Sequence, residues 1–102
     1  MAHFVYRLIS PRSSFPADMS PDERTIMGEH AAYWRGLLAG GSVVVYGPVA
    51  DPAGVWGLAV VDAPTAADVE AIGRADPAVS SNLCTFSVYP MLTTQLHPAL
   101  TT

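Results

Sequence analysis

Two capping boxes constrain the fold of this chain more than any other feature, because each marks the first turn of a helix. Ser20 is a preferred N-cap residue, Pro21 suits the first helical position, and Glu23 lies three residues after Ser20. Thr65 and Asp68 have the same spacing. We therefore predict one helix that begins after the Ser20 cap and a second helix that begins after the Thr65 cap.

Runs of β-branched and aromatic residues lie around the two helices and predict strands over residues 3–9, 42–49, 55–62 and 83–90. The first helix is expected to end at Gly40-Gly41, and the second to cover residues 66–75. Residues 10–20 show no periodicity and are predicted to form a loop. The order of the elements is therefore β-α-β-β-α-β.

The two middle strands are predicted to pair as an antiparallel hairpin. The first of them is expected to break at Gly47-Pro48, and the Asp-Pro-Ala-Gly sequence at residues 51–54 is typical of the turn that follows. The order β-α-β-β-α-β is that of the ferredoxin-like fold. This is an α+β architecture in which two helices cover one face of a four-stranded antiparallel sheet.

Apolar residues are expected on both faces of this sheet. On the face that the helices cover, the first helix is expected to contribute a stripe of core-facing residues at helical spacing, namely Ile26, His30, Tyr33, Trp34, Leu37 and Leu38. In the second strand, Val43 and Val45 alternate with Val44 and Tyr46, so both faces receive apolar side chains. Because the helices cover one face alone, we expect a homodimer in which two sheets pack back to back.

The length and composition agree with a small self-associating domain. The chain has 102 residues, of which 50% are hydrophobic and 14% are charged. This corresponds to a single domain over residues 1–102, with a core at about 3–90. The tail at residues 91–102 either extends over a neighbouring subunit or frays.

Charge and cysteine content argue against several classes of protein. The net charge is −4, and the five Lys and Arg residues are scattered, so no nucleic acid partner is expected. Cys84 is the single cysteine, so it forms no internal disulfide and a zinc site is not expected. No apolar run approaches the roughly 20 residues of a membrane span, and the N-terminus lacks the features of a signal peptide. We therefore expect a cytoplasmic protein with no membrane partner.

His30 is the first candidate for chemistry, because it lies on the apolar stripe of the first helix. A histidine directed at a core has to satisfy both ring nitrogens or be accessible to solvent. It is therefore either a core histidine bonded to a carbonyl oxygen or a functional group in a pocket. His3 and His97 share no ligand spacing with it, so no metal site is expected.

Asp76 is the second candidate and has two compatible interpretations. It follows the second helix and precedes Pro77, so it can be the N-cap of a short turn over residues 77–81. It can also meet His30, since both helices pack on the same face of the sheet. The carboxylate would then hold one imidazole tautomer and leave the other ring nitrogen as a proton acceptor. Trp34 and Tyr46 would line an apolar pocket beside the pair.

The stretch MGEHAAYWRGLLAGGSVVVYGPVADPAGVWG at residues 27–57, with RADP at 74–77, resembles the YCII-related (YciI-like) domain family. The resemblance implies a ferredoxin-like subunit of a dimeric α+β barrel, with an active-site His–Asp dyad that falls on His30 and Asp76. It also implies that Gly47-Pro48 shapes the wall of the pocket. One branch of the family acts as a dehydrochlorinase on a chlorinated hydroquinone.

The chain departs from the family at one position. Many members have an arginine one turn before the histidine; here that residue is Met27, and Arg24 lies three residues further back, one turn from the same cleft. We expect a cofactor-free enzyme that applies acid–base chemistry of the lyase, isomerase or dehydrochlorinase kind to a small cyclic or aromatic molecule. The alternative is a non-catalytic module that binds a small ligand, in which a His–Asp hydrogen bond is structural.

Overall fold

The computed structural model describes residues 2–100, so the last two residues of the predicted tail lie outside the described residues. The elements are β1 (Ala2–Ile9), α1 (Pro21–Ala39), β2 (Val43–Val49), β3 (Trp56–Ala63), α2 (Ala66–Ala75), α3 (Pro77–Ser80), β4 (Thr85–Pro90) and a short 3-10 helix (Pro98–Leu100). The strands form an antiparallel sheet in the order β2-β3-β1-β4. The predicted α+β class and the ferredoxin-like order of elements are confirmed.

The core lies between the helices and one face of the sheet. On β1, Phe4, Tyr6 and Leu8 are buried, whereas the residues between them are more exposed. Tyr6 is opposite Ala59 of β3 and Val88 of β4, so these positions share the face of the sheet that the helices cover. This alternation directs every second residue of β1 into the core.

Both predicted capping boxes are present. The Glu23 amide donates to Ser20 Oγ at 3.2 Å, and the Glu23 carboxylate accepts from the Ser20 amide at 2.9 Å. Thr65 and Asp68 make the equivalent pair of bonds at the start of α2. At the other end of α1, Gly41 has a φ of +88°, which glycine adopts without steric cost. The first and last turns of α1 are therefore as predicted.

The predicted stripe of α1 is wrong at both of its ends. Trp34 is buried and Tyr33 and Leu37 pack against the core, as does Met27, which the prediction left out. Among the described residues, Ile26 does not belong to those that pack against the core, and Leu38 is 43% exposed. Leu38 lies about 100° around the helix axis from Leu37, which places it at the edge of the buried face. The apolar spacing alone did not reveal where that face ends.

The predicted break of the second strand at Gly47-Pro48 is also wrong. Pro48 is opposite Gly57 in the ladder, and β2 continues to Val49. Proline has no amide to donate, but β2 is an edge strand, so the missing donor interrupts no second ladder. The turn that follows contains Gly54 at a φ of +137°.

No helix within residues 2–100 is both long and apolar enough to cross a bilayer.

The two glycines Gly36 and Gly73 allow a test of the packing between α2 and the sheet. A Cβ added at Gly73 would lie 2.5 Å from a ring carbon of Phe86, whereas one at Gly36 on α1 would meet no atom within 4 Å. Gly73→Ala should therefore lower the free energy of unfolding by about 1–3 kcal/mol through overpacking. Gly36→Ala, the matched control, should raise it by about 0.5–1 kcal/mol through helix propensity. Urea denaturation of both variants checks this, and a Gly73→Ala variant as stable as the wild type would contradict the close packing.

Candidate active site

Asp76 lies at the junction of two helices. Its amide donates to the Gly73 carbonyl at the end of α2, and its carboxylate accepts from the Ala78 amide at 2.9 Å at the start of α3. Pro77 occupies the first position of α3, and Asp76 has extended backbone angles. The predicted role as N-cap of a short helical turn is confirmed. The Asp76 side chain is fully buried, so its charge has to be compensated within the protein.

The Asp76 carboxylate accepts three side-chain hydrogen bonds besides the one from Ala78, among the residues that the structure describes. His30 Nδ1 lies 2.8 Å from Oδ1 and 3.0 Å from Oδ2. Trp34 Nε1 donates to Oδ2 at 2.8 Å, and the Tyr6 hydroxyl donates to the same oxygen at 3.1 Å. His30 and Trp34 are four residues apart on α1, so they face the carboxylate from successive turns. We call these residues, Tyr6, His30, Trp34 and Asp76, the Asp76 cluster.

The hydrogen bonds of the cluster keep Asp76 ionised. Burial by itself raises the pKa of the carboxyl, but the hydrogen bonds from His30 and Trp34, the electrostatic interaction with His30 and the hydrogen bond from the Ala78 amide together lower the pKa below its ordinary value. Burial and the adjacent Asp76 charge raise the pKa of the Tyr6 hydroxyl far above its usual range. Tyr6 is therefore a neutral donor to a fixed negative charge.

This arrangement determines the tautomer of His30. An ionised carboxylate only accepts hydrogen bonds, so Nδ1 has to carry the proton that Asp76 receives. In the neutral imidazole Nε2 is then unprotonated and able to accept a proton. The His30 side chain is 21% exposed, in contrast to the buried carboxylate beside it. One face of the cluster is thus accessible.

The His30 ring lies at the wall of a cavity of about 340 Å³, which we call the main cavity. Its wall is almost entirely apolar and is formed by Tyr6, Leu8, Pro16, Met27, His30, Ala31, Trp34, Tyr46, Gly47, Pro48, Gly57, Leu58 and Ala59. Of the site residues named from the sequence, Trp34, Tyr46, Gly47 and Pro48 belong to this wall. Arg24 is exposed on α1 and is not part of it.

The hydrogen bond from Tyr6 was not predicted, although a signal for it exists in the sequence. Tyr6 occupies a core-facing position of β1, and a buried tyrosine hydroxyl needs a hydrogen-bond partner. The sequence does not show which of its acids supplies that partner.

Within residues 2–100 there is no cluster of three or more His, Cys, Asp or Glu side chains that could bind a metal ion.

The fold and the site define an α+β protein of ferredoxin-like architecture with an apolar cavity beside a histidine. The YCII-related domain model matches residues 1–92, and the chain belongs to that family. Among curated proteins, none matches the sequence.

A solved structure of similar fold is 5-chloro-2-hydroxyhydroquinone dehydrochlorinase (TftG) from Burkholderia phenoliruptrix AC1100, in complex with 2,5-dihydroxybenzoquinone. The TM-score is 0.60, the identity is 19%, and the match covers 97% of each chain. At this identity the similarity shows a common fold.

The Asp76→Asn substitution tests the cluster through stability. The NH₂ group of an asparagine at this position would face one of the groups that now donate to Asp76. We therefore expect the free energy of unfolding to fall by about 3 kcal/mol at pH 7. Asp22→Asn, on the exposed first turn of α1, is the control and should change stability by less than about 0.5 kcal/mol. Chemical denaturation at pH 7 measures both, and equal stabilities of the two variants would contradict the cluster.

The same variant tests the pH dependence. The pKa of Asp76 is lowered in the folded state, so near the ordinary value of 3.8 the unfolded chain binds more protons and stability rises with pH. The contribution of Asp76 is fully present above about pH 4 and is lost as the pH falls through the folded pKa. Below pH 4, the free energy of unfolding of Asp76→Asn should therefore fall less steeply with decreasing pH than that of the wild type. The same slope in both proteins would contradict the lowered pKa of Asp76. The remaining slope reflects the other acids whose pKa values are lowered. Hydrogen bonds from Arg12 lower the pKa of Asp18 and that of Glu23, the latter to about 2, and hydrogen bonds from the Ala53 amide and Trp56 lower the pKa of Asp51.

Proposed function

We propose that this protein is a cofactor-free enzyme that applies acid–base chemistry to a small apolar molecule that contains a ring. The observation that carries the proposal is the position of His30, with Nδ1 bound to an ionised, buried carboxylate and its ring at the wall of an apolar cavity. Nε2 would act as the general base, and Asp76 would orient the imidazole.

Each group has a distinct part in the proton transfer. His30 Nε2 accepts a proton from a carbon or oxygen of the substrate, and the imidazolium that forms lies 2.8 Å from the Asp76 carboxylate. Asp76 stays ionised, because its lowered pKa makes it a poor acceptor of the second proton. The imidazolium then returns the proton to the substrate at another atom, or to water after a leaving group has departed. These two outcomes correspond to isomerase and to lyase or dehydrochlorinase-like chemistry.

The cavity supports a ring-containing substrate with little charge. Its volume of about 340 Å³ is at the lower end of ligand pockets. Among the described residues, no Lys or Arg belongs to its wall, so no permanently charged side chain is present to pair with a carboxylate or a phosphate. Trp34 and Tyr46 have ring centroids 6.2 Å apart and offer flat apolar surfaces. The dehydrochlorinase of similar fold, in complex with a dihydroxybenzoquinone, agrees with this substrate class.

The second candidate function is a non-catalytic module that binds a small ligand. It is favoured by the structural work that Asp76 performs, since one carboxylate joins β1, α1 and the start of α3. In that case His30 would be one more donor that compensates a buried charge. The two functions differ in whether Nε2 exchanges a proton with the ligand.

His30 nitrogen chemical shifts and turnover together distinguish these functions. Long-range ¹H–¹⁵N correlation should show a protonated Nδ1 and an unprotonated Nε2 in neutral His30. In a mass-spectrometric screen of small hydroxylated and halogenated ring compounds, His30→Gln should lower the turnover of any converted compound at least about 100-fold. His97→Gln, in the tail, is the control and should leave turnover unchanged.

Two results would count against the enzyme. The Nε2–H tautomer as the main form of His30 would remove the general base. Compounds that bind in the main cavity but are never converted would favour the binding module.

We further propose a homodimer that forms through the face of the sheet opposite the helices, in a cytoplasmic protein whose single cysteine is free. On that face Val5 is opposite Val60 and Tyr89, and Arg7 is opposite Leu58. Tyr89 is 53% exposed, and Val45 on β2 is 52% exposed. Val45, Val60, Val5 and Tyr89 thus form one apolar row in register across the four strands, with its two exposed ends on the edge strands. Such a row supports a protein partner, and a second copy supplies the same apolar face.

A charge on this face should dissociate the dimer. Val45→Glu should weaken self-association by at least about 100-fold, because a symmetric interface would bury two unpaired carboxylates. Leu38→Glu is the control, since Leu38 is 43% exposed on α1, away from this face. Sedimentation velocity across a concentration series measures both variants. A wild-type chain that stays monomeric at millimolar concentration, or a Val45→Glu chain that dimerises like the wild type, would disprove this interface.

A further inference from the structure

A second cavity of about 100 Å³ adjoins the main cavity, and we call it the side chamber. Six residues contribute to the walls of both spaces, namely Leu8, Pro16, Met27, His30, Pro48 and Gly57. His30 is thus at the junction between the two spaces. The imidazole therefore borders both spaces.

The far wall of the side chamber consists of residues that the main cavity does not use. Phe15, from the loop between β1 and α1, is 4% exposed, and Cys84, just before β4, is also 4% exposed. Ser10, Val55 and Trp56 complete this wall. The loop is held in place by Arg12, whose guanidinium donates to the carboxylates of Asp18 and Glu23.

The polar groups in the far wall are already satisfied. The Ser10 hydroxyl donates to the Val55 carbonyl, and Trp56 Nε1 donates to Asp51 at 3.1 Å. Burial raises the pKa of the Cys84 thiol to about 11, so the thiol is neutral at physiological pH and behaves as a small apolar group. Among the described residues, the far wall therefore offers no charge and, apart from the weak S–H of Cys84, no free side-chain donor to a polar substituent. An apolar occupant there costs no lost hydrogen bond.

We propose that the side chamber is a specificity subsite that receives one small apolar substituent of the ring bound in the main cavity. The proposal rests on the proposed function, because the ring is placed by its ionisable group at His30. At about 30 Å³ for each small group, the chamber accommodates roughly three carbon atoms. Phe15 and Cys84, on its far wall, set the length of the substituent that fits.

Alkylphenols test the subsite without knowledge of the natural substrate. Phenol and its methyl, ethyl, propyl and butyl derivatives, in the ortho, meta and para series, are titrated into the full chain by calorimetry. The His30 nitrogen shifts are followed in parallel. In one positional series the affinity should increase about fourfold for each added carbon up to ethyl or propyl, and then fall.

Variants of the far wall should move this optimum. Cys84→Met fills the chamber and should shorten the best substituent by at least one carbon, whereas Cys84→Ala should lengthen it by one. Phe15→Leu enlarges the chamber at a second position of the far wall and should also lengthen the best substituent, which keeps the test available if one Cys84 variant does not fold. Leu92→Ala, in the exposed tail, is the control for the unshifted optimum.

The outcomes separate the subsite from the function. If phenols bind and shift the His30 signals, but no series has an optimum and the variants move nothing, the subsite is disproved and the proposed function stands. If no phenol affects His30, the ring-binding function is contradicted, and the subsite with it. An optimum that moves in opposite directions for Cys84→Met and Cys84→Ala supports the subsite.

Discussion

The buried carboxylate of Asp76 is the interaction on which the rest of the structure depends. A charge without solvent contact is tolerated only where donors replace the lost hydration, and here the donors come from three elements. Tyr6 supplies one from β1, His30 and Trp34 supply two from α1, and the Ala78 amide supplies one from α3. The same bonds position α1 against the sheet, cap α3 and hold the imidazole in one tautomer. Stability and, by our proposal, chemistry therefore depend on one group.

The cavity follows from the packing around this carboxylate. Trp34 directs its indole nitrogen inward to Asp76, so its ring remains available as an apolar wall beside Tyr46. Near the cluster, polar atoms are engaged with one another, and the space that remains is apolar apart from His30. A ring compound with little charge loses the least hydration free energy on entering such a space, because it makes few hydrogen bonds with water. The side chamber has the same character, with a neutral Cys84 on its far wall.

The two faces of the sheet have different consequences for function. Alternation on β1 directs Tyr6 to the cluster and Val5 to the opposite face. The helices and the Asp76 cluster cover the first face, while the second leaves Val45 and Tyr89 half exposed. The alternation of side chains between the two faces of one sheet thus positions the candidate site and, by our proposal, the subunit interface. Changes on the outer face are expected to affect assembly without contact with His30.

The sequence by itself determined the class of fold, because its signals are local. The caps at Ser20 and Thr65 set the starts of α1 and α2, and the Asp76-Pro77 pair set the start of α3. Such signals act over one helical turn and survive in any tertiary context. They did not show that Leu38 is exposed, since that depends on where the sheet lies under the helix.

The pairing of His30 with Asp76 was predicted from the sequence, but tertiary structure alone decided that Asp76 also accepts bonds from Tyr6 and Trp34, which lie 70 and 42 positions away along the chain. It also decided that Pro48 continues an edge strand and that Arg24 stays outside the cavity wall. The physical reason is common to all of these. Contacts between residues far apart in sequence are specified by how the layers pack, and no local pattern of residue types encodes that packing.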